Sequence, residues 1–348
     1  MGARRAAVIG GGVGGLAAAT GLRRHGWEVV VFEREPALPR VGTGLAIWPD
    51  ALAALDRLGV GDAVWQAGRR QDDGVLRKPD GAVIGTLGAG GVHLVTRPAL
   101  LRALAGALPD GVVRFDMSAG LADAAGYDLV VGADGIHSAV RDEVFDGVSD
   151  TQVRRSGAIG WRGAVDVPVE VGGETWGRGG KFGLTPQADG RTNWYAMAED
   201  LSLFADWHDP IPRVLAAATD VLRHELLHLA PLPSFVSGRV ALLGDAAHAM
   251  TPDLGQGACQ AIIDGVVLAE CLTGDVNAGL RAYDAKRRRV TQRLAARSLR
   301  LNRLARARRL TGVRDVALRV VLALASASRP KSPEVPWSAD LERDELAG

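Results

Sequence analysis

Two glycine-rich segments, more than two hundred positions apart, constrain this chain more than any other feature. The first is Ala6-Ala7-Val8-Ile9-Gly10-Gly11-Gly12-Val13-Gly14-Gly15. The second runs from Gly238 through Gly244-Asp245-Ala246-Ala247-His248 and Pro252 to Gly255-Gln256-Gly257. Residues 5–9 are short and apolar, the pattern of a buried parallel strand. Gly10, Gly12 and Gly15 then fit G-x-G-x-x-G. The first glycine allows a tight turn, the second lets backbone approach a pyrophosphate, and the third lets helix and strand pack closely. The helix predicted from Gly14 to His25 would aim its N-terminal N–H groups and positive dipole end at phosphates. A second strand at residues 28–32 ends at Glu33, an acid about 20 residues past the glycines and so placed to accept hydrogen bonds from a ribose. Arg34 beside it joins the same candidate cofactor-binding set. Strand, helix, second strand and acid in that order predict a dinucleotide-binding unit.

At 348 residues the chain has room for two domains, or one large domain with an inserted sheet. A formal net charge of +1 excludes neither acidic nor basic partners. The two cysteines, Cys259 and Cys271, lie in apolar helical sequence, which suggests a reduced, cytoplasmic protein. Arg4 and Arg5 before an apolar run mimic a signal peptide. That run is the first strand and its glycine turn, without a cleavage site. No stretch is long enough to span a membrane, so no integral membrane association is expected.

Along the chain, residues 1–75, 93–155 and 236–280 read as a discontinuous nucleotide-binding domain. Residues 76–92 and 156–235 read as a substrate domain, 281–330 as C-terminal helices, and 331–348 as a frayed tail. Lys78-Pro79-Asp80-Gly81 is a turn sequence and predicts a hairpin. Pro98 suits a helix start. Between residues 156 and 197, strand-like stretches with tryptophans alternate with glycine turns, as in an antiparallel sheet.

Residues 10–15, 97–104, 128–141 and 238–264, in that order, resemble the single-component (class A) FAD-dependent monooxygenases of the para-hydroxybenzoate hydroxylase type. The similarity runs from about residue 5 to residue 310 and is most specific at Gly244-Asp245 with Pro252 and Gly255-Gln256-Gly257, and at Asp134-Gly135 with Ser138 and Arg141. It implies an α/β architecture: an FAD-binding Rossmann-like domain of the GR2 type, an inserted antiparallel β-sheet substrate domain and C-terminal helices. It also implies cofactor-binding roles. Gly10, Gly12, Gly14, Gly15, Glu33 and Arg34 would serve the nucleotide end, and Arg97 the ribityl–phosphate region. Asp134 and Gly135 would lie near the pyrophosphate, Gly244 and Asp245 at the ribityl chain, and Pro252, Gly255, Gly257 and Ala258 beside the flavin ring. The helix after Gly257 would turn its positive end to the reduced flavin. A helix cap is the alternative role for Asp245. The chain departs from the family at Cys259 and Ile263, where Asn and Glu are usual, and in shortened segments at residues 113–127 and 200–210.

No second G-x-G-x-x-G is present, so NADPH or NADH would bind only transiently. In such enzymes reduced flavin adds O2 and the hydroperoxide passes one oxygen to the substrate, here an aromatic, polycyclic or polyene small molecule. Hydroxylation is the leading reading. Epoxidation, double-bond reduction and a non-catalytic flavin-binding protein stay open at this point. Candidate substrate contacts are Trp161, Arg162, Phe182, Trp194, Tyr195 and Met197; on an alternating strand Trp194 and Tyr195 point to opposite faces, so at least one is structural. No residue declares itself a general base. His248 reads as structural and His208 as a loop residue without a partner.

His224-Glu225-Leu226-Leu227-His228 matches the H-E-x-x-H zinc motif, but Pro231 and Ser234 occupy the Gly and third-His positions of its longer form. A surface helix that happens to carry these residues is expected, and no metal. Residues 281–310 hold eleven Arg and one Lys against one Asp. The spacing of Leu294, Leu301 and Leu304 predicts packing against the flavin domain rather than nucleic-acid binding. A monomer or homodimer is expected.

Overall fold

The computed structural model describes residues 3–40, 42–146 and 152–327, with backbone only at 89–90 and 325–327. The expected tail at 331–348 lies outside the described residues.

In chain order the elements are β1 (Arg5–Ile9), α1 (Val13–Arg24), β2 (Glu28–Phe32), β3 (Gly44–Ile47), α2 (Pro49–Arg57), α3 (Gly61–Gln66), β4 (Gly68–Arg77), β5 (Val83–Thr96), α4 (Arg97–Gly106), β6 (Val113–Arg114), β7 (Leu129–Gly132) and α5 (Ala139–Val144). They continue with β8 (Val153–Val165), β9 (Gly173–Trp176), β10 (Lys181–Pro186), β11 (Thr192–Met197), α6 (Ile211–Ala216), β12 (Leu222–Leu229), β13 (Val236–Ser237), β14 (Val240–Leu242), α7 (Asp245–His248), α8 (Gly257–Cys271), α9 (Val276–Ala305) and α10 (Thr311–Ala327).

Two sheets result. One has the order β13-β14-β7-β1-β2-β6 and is parallel except for β13. Its strands β1, β2, β7 and β14 are apolar and almost wholly buried, as a sheet covered on both faces requires. The other has the order β12-β8-β11-β10-β9-β4-β5-β3 and is antiparallel except where β4 meets β9. The expected domain borders cut through this second sheet: β3 and the start of β4 belong to it, and β5 runs unbroken across residue 93.

Helices α1 and α8 join the two ends of the chain. They run parallel at near-backbone contact. A Cβ on Gly265 would lie 2.6 Å from the Ala18 nitrogen, one on Gly21 2.9 Å from Ala269 Cβ, and one on Gly14 3.1 Å from Ala261 Cβ. Small residues every three or four positions on both helices permit that approach. Because the helices are parallel, their N-terminal ends fall at the same edge of the sheet. Both carry a positive dipole end there, and neither has a side-chain cap on its first-turn N–H groups.

Helix α9 corrects the leucine-stripe expectation. Its buried side is largely polar: Tyr283, Arg287, Thr291, Ser298 and Asn302 face inward, while Leu304 is exposed. The polar stripe is used throughout. Arg287 Nε donates to Asp264 Oδ1 at 2.6 Å, Ser298 Oγ to the Thr251 carbonyl at 2.6 Å, and Asn302 Nδ2 to Asp253 Oδ2 at 2.9 Å. Two arginines just past its end also serve the fold: Arg306 donates to the carbonyls of Ser156 and Gly157, and Arg308 pairs with Glu199.

Candidate active site

Each glycine of the first turn has a distinct physical reason. Gly10 has φ +107, and a Cβ there would overlap the Ala133 carbonyl oxygen. A Cβ on Gly15 would overlap the Gly10 carbonyl oxygen, so Gly15 serves the turn itself. Gly12 has open space where its Cβ would project, as a ligand-approach position should. Gly14 serves packing: its missing Cβ makes room for Leu243 and Ala261. Glu33 accepts from the Gly11 nitrogen at 2.7 Å and the Glu35 nitrogen at 2.9 Å, which pins its carboxylate over the turn. Arg34 is exposed and pairs loosely with Glu35.

The second segment meets the first at the same edge. Gly244 (φ +57) ends β14, and Gly255 (φ +62) bends the chain before α8. Asp245 makes no capping bond, which removes the helix-cap alternative. Its carboxyl reaches solvent yet is ringed by protein. Desolvation raises its pKa, while the charges of His248 and Arg97 oppose the rise. Gly135 (φ +85) and Gly257 also have open Cβ positions, and Ala258 follows in the first turn of α8. Asp134 Oδ2 accepts from the Val140 nitrogen at 3.2 Å, and its Oδ1 is buried without a partner.

Beneath this edge Asp264 is fully buried. It accepts from the Gly244 nitrogen at 3.0 Å, pairs with His248 Nε2 at 2.6 Å, and receives Arg287 Nε. Burial alone would raise its pKa; His248 and Arg287 outweigh that and bring it to about 2. His248 is thus structural, as expected, and Asp264 anchors the Gly244–Asp245 turn.

The eight-stranded sheet sorts the six candidate substrate residues by face. Trp161, Phe182 and Trp194 turn away from the glycine edge. They pack in an aromatic core with Phe204, Trp207 and Ile211: Phe182 stacks on Trp194 at 5.6 Å, and Trp161 Nε1 donates to the Ala198 carbonyl. Phe182 and Trp194 are fully buried, the Phe182 ring contributing about 1.5–3 kcal/mol, and half-buried Trp161 lies on the same far face, so none of the three is turned to the glycine edge. Met197 lies on the opposite face but is 2% exposed, packed in the core between the sheet and α9–α10, so it too is structural. Arg162 and Tyr195 remain. They face the glycine edge, which is shown by same-face neighbours: Asn193 accepts from the Gly44 nitrogen at 3.1 Å, and Lys181 pairs at 3.1 Å with Asp253 in the loop that leads to Gly255. Burial, then the nearby charge of Arg97, lowers the Arg162 pKa. The charge of Arg97 thus acts on both Asp245 and Arg162.

The H-E-x-x-H run is a strand, β12, not a helix. Residues four apart on a strand are about 13 Å apart along it, so the paired-histidine geometry of the zinc motif does not form. The long pairing of β12 with β8 overrides the helical propensity of the run. His208 is not alone either: its Nε2 lies 2.8 Å from Thr175 Oγ1.

Sequence reading missed four residues. Glu174, Lys181 and Asp253 form a buried ion network beneath Tyr195; Asp253 lies far from the other two in the chain, which left no local pattern. Trp48 Nε1 is buried without a partner beside Gly255, its position 3.7 Å from where a Gly255 Cβ would be. A tryptophan before Pro49 offered no signal of this.

The residues present fit FAD. Three glycines leave open space along one edge, two uncapped helix starts converge there, and orphaned polar atoms of Asp134 and Trp48 lie at its two ends. Comparisons with known proteins agree. A family described as FAD binding domain matches residues 230–298, and one described as NAD(P)-binding Rossmann-like domain matches residues 8–43. The chain is 35% identical over 324 residues to the aurachin C monooxygenase/isomerase of Stigmatella aurantiaca, covering 80% of this chain and 84% of that protein. It is 30% identical over 338 residues to the FAD-dependent urate hydroxylase of Klebsiella pneumoniae, covering 81% and 85%. Among solved structures, Klebsiella pneumoniae HpxO complexed with FAD and uric acid superposes with a TM-score of 0.80 at 28% identity, covering 91% of this chain and 93% of that one. The sheet architecture, the glycine cradle and these relatives together show that the chain belongs to the class A FAD-dependent monooxygenases of the para-hydroxybenzoate hydroxylase type.

Proposed function

We propose that this flavoprotein hydroxylates an aromatic small molecule with NAD(P)H as electron donor and O2 as co-substrate. The observation that carries the reading is that the sheet face bearing Arg162 and Tyr195 is tied to the glycine edge, by Lys181 to Asp253 at 3.1 Å and by the Gly44 nitrogen to Asn193 Oδ1 at 3.1 Å. Relatives named aurachin C monooxygenase/isomerase, urate hydroxylase and salicylate hydroxylase support the reading.

FAD supplies the oxygen activation when bound; the protein supplies its surroundings. Gly12, Gly135 and the start of α1 would hold the pyrophosphate, Asp245 the ribityl chain, and the start of α8 the ring edge on which negative charge collects. Tyr195 stays neutral, because burial and then the Glu174 carboxylate push its pKa well above the ordinary value. Arg162 offers a fixed positive charge. The aromatic core behind the sheet holds both side chains in place and excludes water from behind. Two unpaired cysteines fit a reducing, cytoplasmic setting, and a monomer or homodimer suits the reading. Among the described residues no helix is long and apolar enough to cross a membrane.

Anaerobic reduction of the bound flavin by NADPH and NADH, with and without phenols, polycyclic aromatics and polyenes, tests this. Faster reduction with aromatic ligands, followed by oxygen uptake and a product heavier by one oxygen atom, is the expected result. Turnover without oxygen uptake would instead indicate a double-bond reductase. An oxygenated alkene product would indicate an epoxidase, and a flavin that neither donor reduces would indicate a binding protein.

A further inference from the structure

Helix α10 is apolar on two sides, and the fold covers one of them. Leu318 and Leu322 turn inward and pack against a small core that includes Leu76, Ile84, Trp176 and Met197. A Cβ on Gly85 of β5 would lie 2.8 Å from Leu322 Cδ1, so helix and sheet are in close contact. Arg314 fixes the start of the helix. It is buried, donates to the Gly177 and Ala305 carbonyls, lies over the Trp176 ring and pairs with Asp315 at 2.9 Å. The helix is thus held by its inner side.

The outer side is open. Val313, Val316, Val320 and Val321 are between 52% and 65% exposed, and Leu310, just before the helix, is 77% exposed. At about 3.6 residues per turn the four valines share one side, with Ala317 among them. Valine is a poorer helix former than alanine, lysine or glutamate, so local propensity does not account for four of them facing water. A helix that is apolar all round ordinarily has a second apolar surface against it.

The charges beside this stripe are of one sign. Residues 300–327 hold seven Arg and one acid, Asp315, which is already paired with Arg314. Arg306 and Arg308 also have partners in the fold. Arg309, next to Leu310, and Arg319, next to Val320, are exposed, and no carboxylate pairs with either among the described residues.

Area and charge select the occupant. At roughly 60 Å² of exposed apolar surface for each of the five side chains, a symmetric pair of α10 stripes buries about 600 Å² in all, well below the roughly 1,200 Å² of a stable interface. A second copy would also bring the same arginines and no free acid from this stretch. An anionic bilayer answers both features, since it is phosphate-rich at its surface and apolar just beneath. A short apolar stripe and a few cations are each weak signals that together give reversible surface binding.

We propose that α10 is a docking surface for an anionic phospholipid bilayer: Leu310 and the four valines enter the boundary between headgroups and acyl chains, and Arg309 and Arg319 meet lipid phosphates. Long arginine stems let both charges reach headgroup level from the flank of the stripe. The contact is peripheral, because no helix among the described residues is long and apolar enough to cross. The inference does not depend on the monooxygenase reading.

The test sediments the FAD-loaded full-length protein with vesicles of equal parts phosphatidylcholine and phosphatidylglycerol, or of phosphatidylcholine alone. The wild type should pellet with the mixed vesicles and bind the neutral ones at least about tenfold more weakly. Val316→Gln/Val320→Gln should weaken binding to mixed vesicles at least about tenfold, while glutamine keeps the helix. Arg309→Gln/Arg319→Gln should remove most of the preference for mixed over neutral vesicles. Both variants should keep the wild-type flavin absorbance and thermal midpoint, because the changed side chains are exposed. A wild type that stays in the supernatant with mixed vesicles would overturn the proposal. So would a valine variant of normal flavin absorbance that pellets like the wild type, which would leave only a charge contact open to any polyanion. Sedimentation velocity without vesicles covers the remaining occupant: a dimer that the valine variant splits would assign the stripe to a second copy and refute the bilayer.

Discussion

Replacing Asp264 by Asn tests the buried anchor of the cofactor edge. The Asp264 carboxyl titrates near 2 in the folded chain against an ordinary value of 3.8. At about 1.4 kcal/mol per pH unit, that difference contributes roughly 2.5 kcal/mol to folding at neutral pH. Because the folded value is the lower one, the contribution is present above 3.8 and is lost as pH falls through about 2. Asparagine adds a second loss. Gly244 N, His248 Nε2 and Arg287 Nε all meet the carboxylate as donors, so either orientation of an amide turns its NH2 toward a donor. One such mismatch costs about 1–3 kcal/mol, and the total of about 3.5–5.5 kcal/mol overlaps the cost of about 3–5 kcal/mol for breaking a buried ion pair elsewhere. Urea unfolding of FAD-matched wild type and Asp264→Asn, followed by tryptophan fluorescence, measures this. The variant should be less stable by about 3.5–5.5 kcal/mol at pH 7, and the gap should narrow by about 1 kcal/mol between pH 5 and pH 3. A gap under about 1 kcal/mol at pH 7, or one that widens on acidification, would refute the anchor assigned to this carboxylate.

Gly12→Ala should leave the apoprotein's thermal midpoint unchanged, since nothing lies within 4 Å of the added Cβ, yet weaken FAD binding about tenfold or more in a flavin titration. Gly15→Ala should instead fail to fold, because its Cβ meets the Gly10 carbonyl oxygen; soluble yield and circular dichroism report this. Phe204→Ala should destabilise the chain by about 3–5 kcal/mol in urea while leaving ligand KM unchanged, because the ring packs behind the sheet. Trp194→Phe should cost under about 1.5 kcal/mol, since the Trp194 Nε1 lost with it is buried without a partner; a rise in KM would show that Trp194 contacts substrate after all.

The cofactor edge was legible in the sequence because its demands are local. A tight turn, a close backbone approach and a strand-to-helix register each require glycine at a set spacing, and Gly10, Gly12 and Gly15 meet them. Gly14 had the right neighbourhood but serves a distant contact with Leu243 and Ala261. The substrate face was less legible. Period-two alternation showed that Trp194 and Tyr195 part company, but not which of them looks toward the cofactor. The zinc-like run misled for a related reason: its letters suit a helix, while pairing with β8 makes it a strand.

By itself the sequence determined the parallel nucleotide sheet, the glycine turn, the acid at Glu33 and the second segment around Gly244–Asp245, all properties of neighbouring residues. Only the tertiary structure decided that the two segments meet, through the parallel packing of α1 on α8 along small residues from both ends of the chain. Tertiary structure alone likewise placed Glu174, Lys181 and Asp253 beneath Tyr195 and, among the described residues, left Arg162 without a carboxylate. The physical reason is that backbone geometry is imposed within a few residues. The protonation and pairing of a buried side chain depend instead on whatever the fold brings within a few ångströms, and sequence distance carries no record of that.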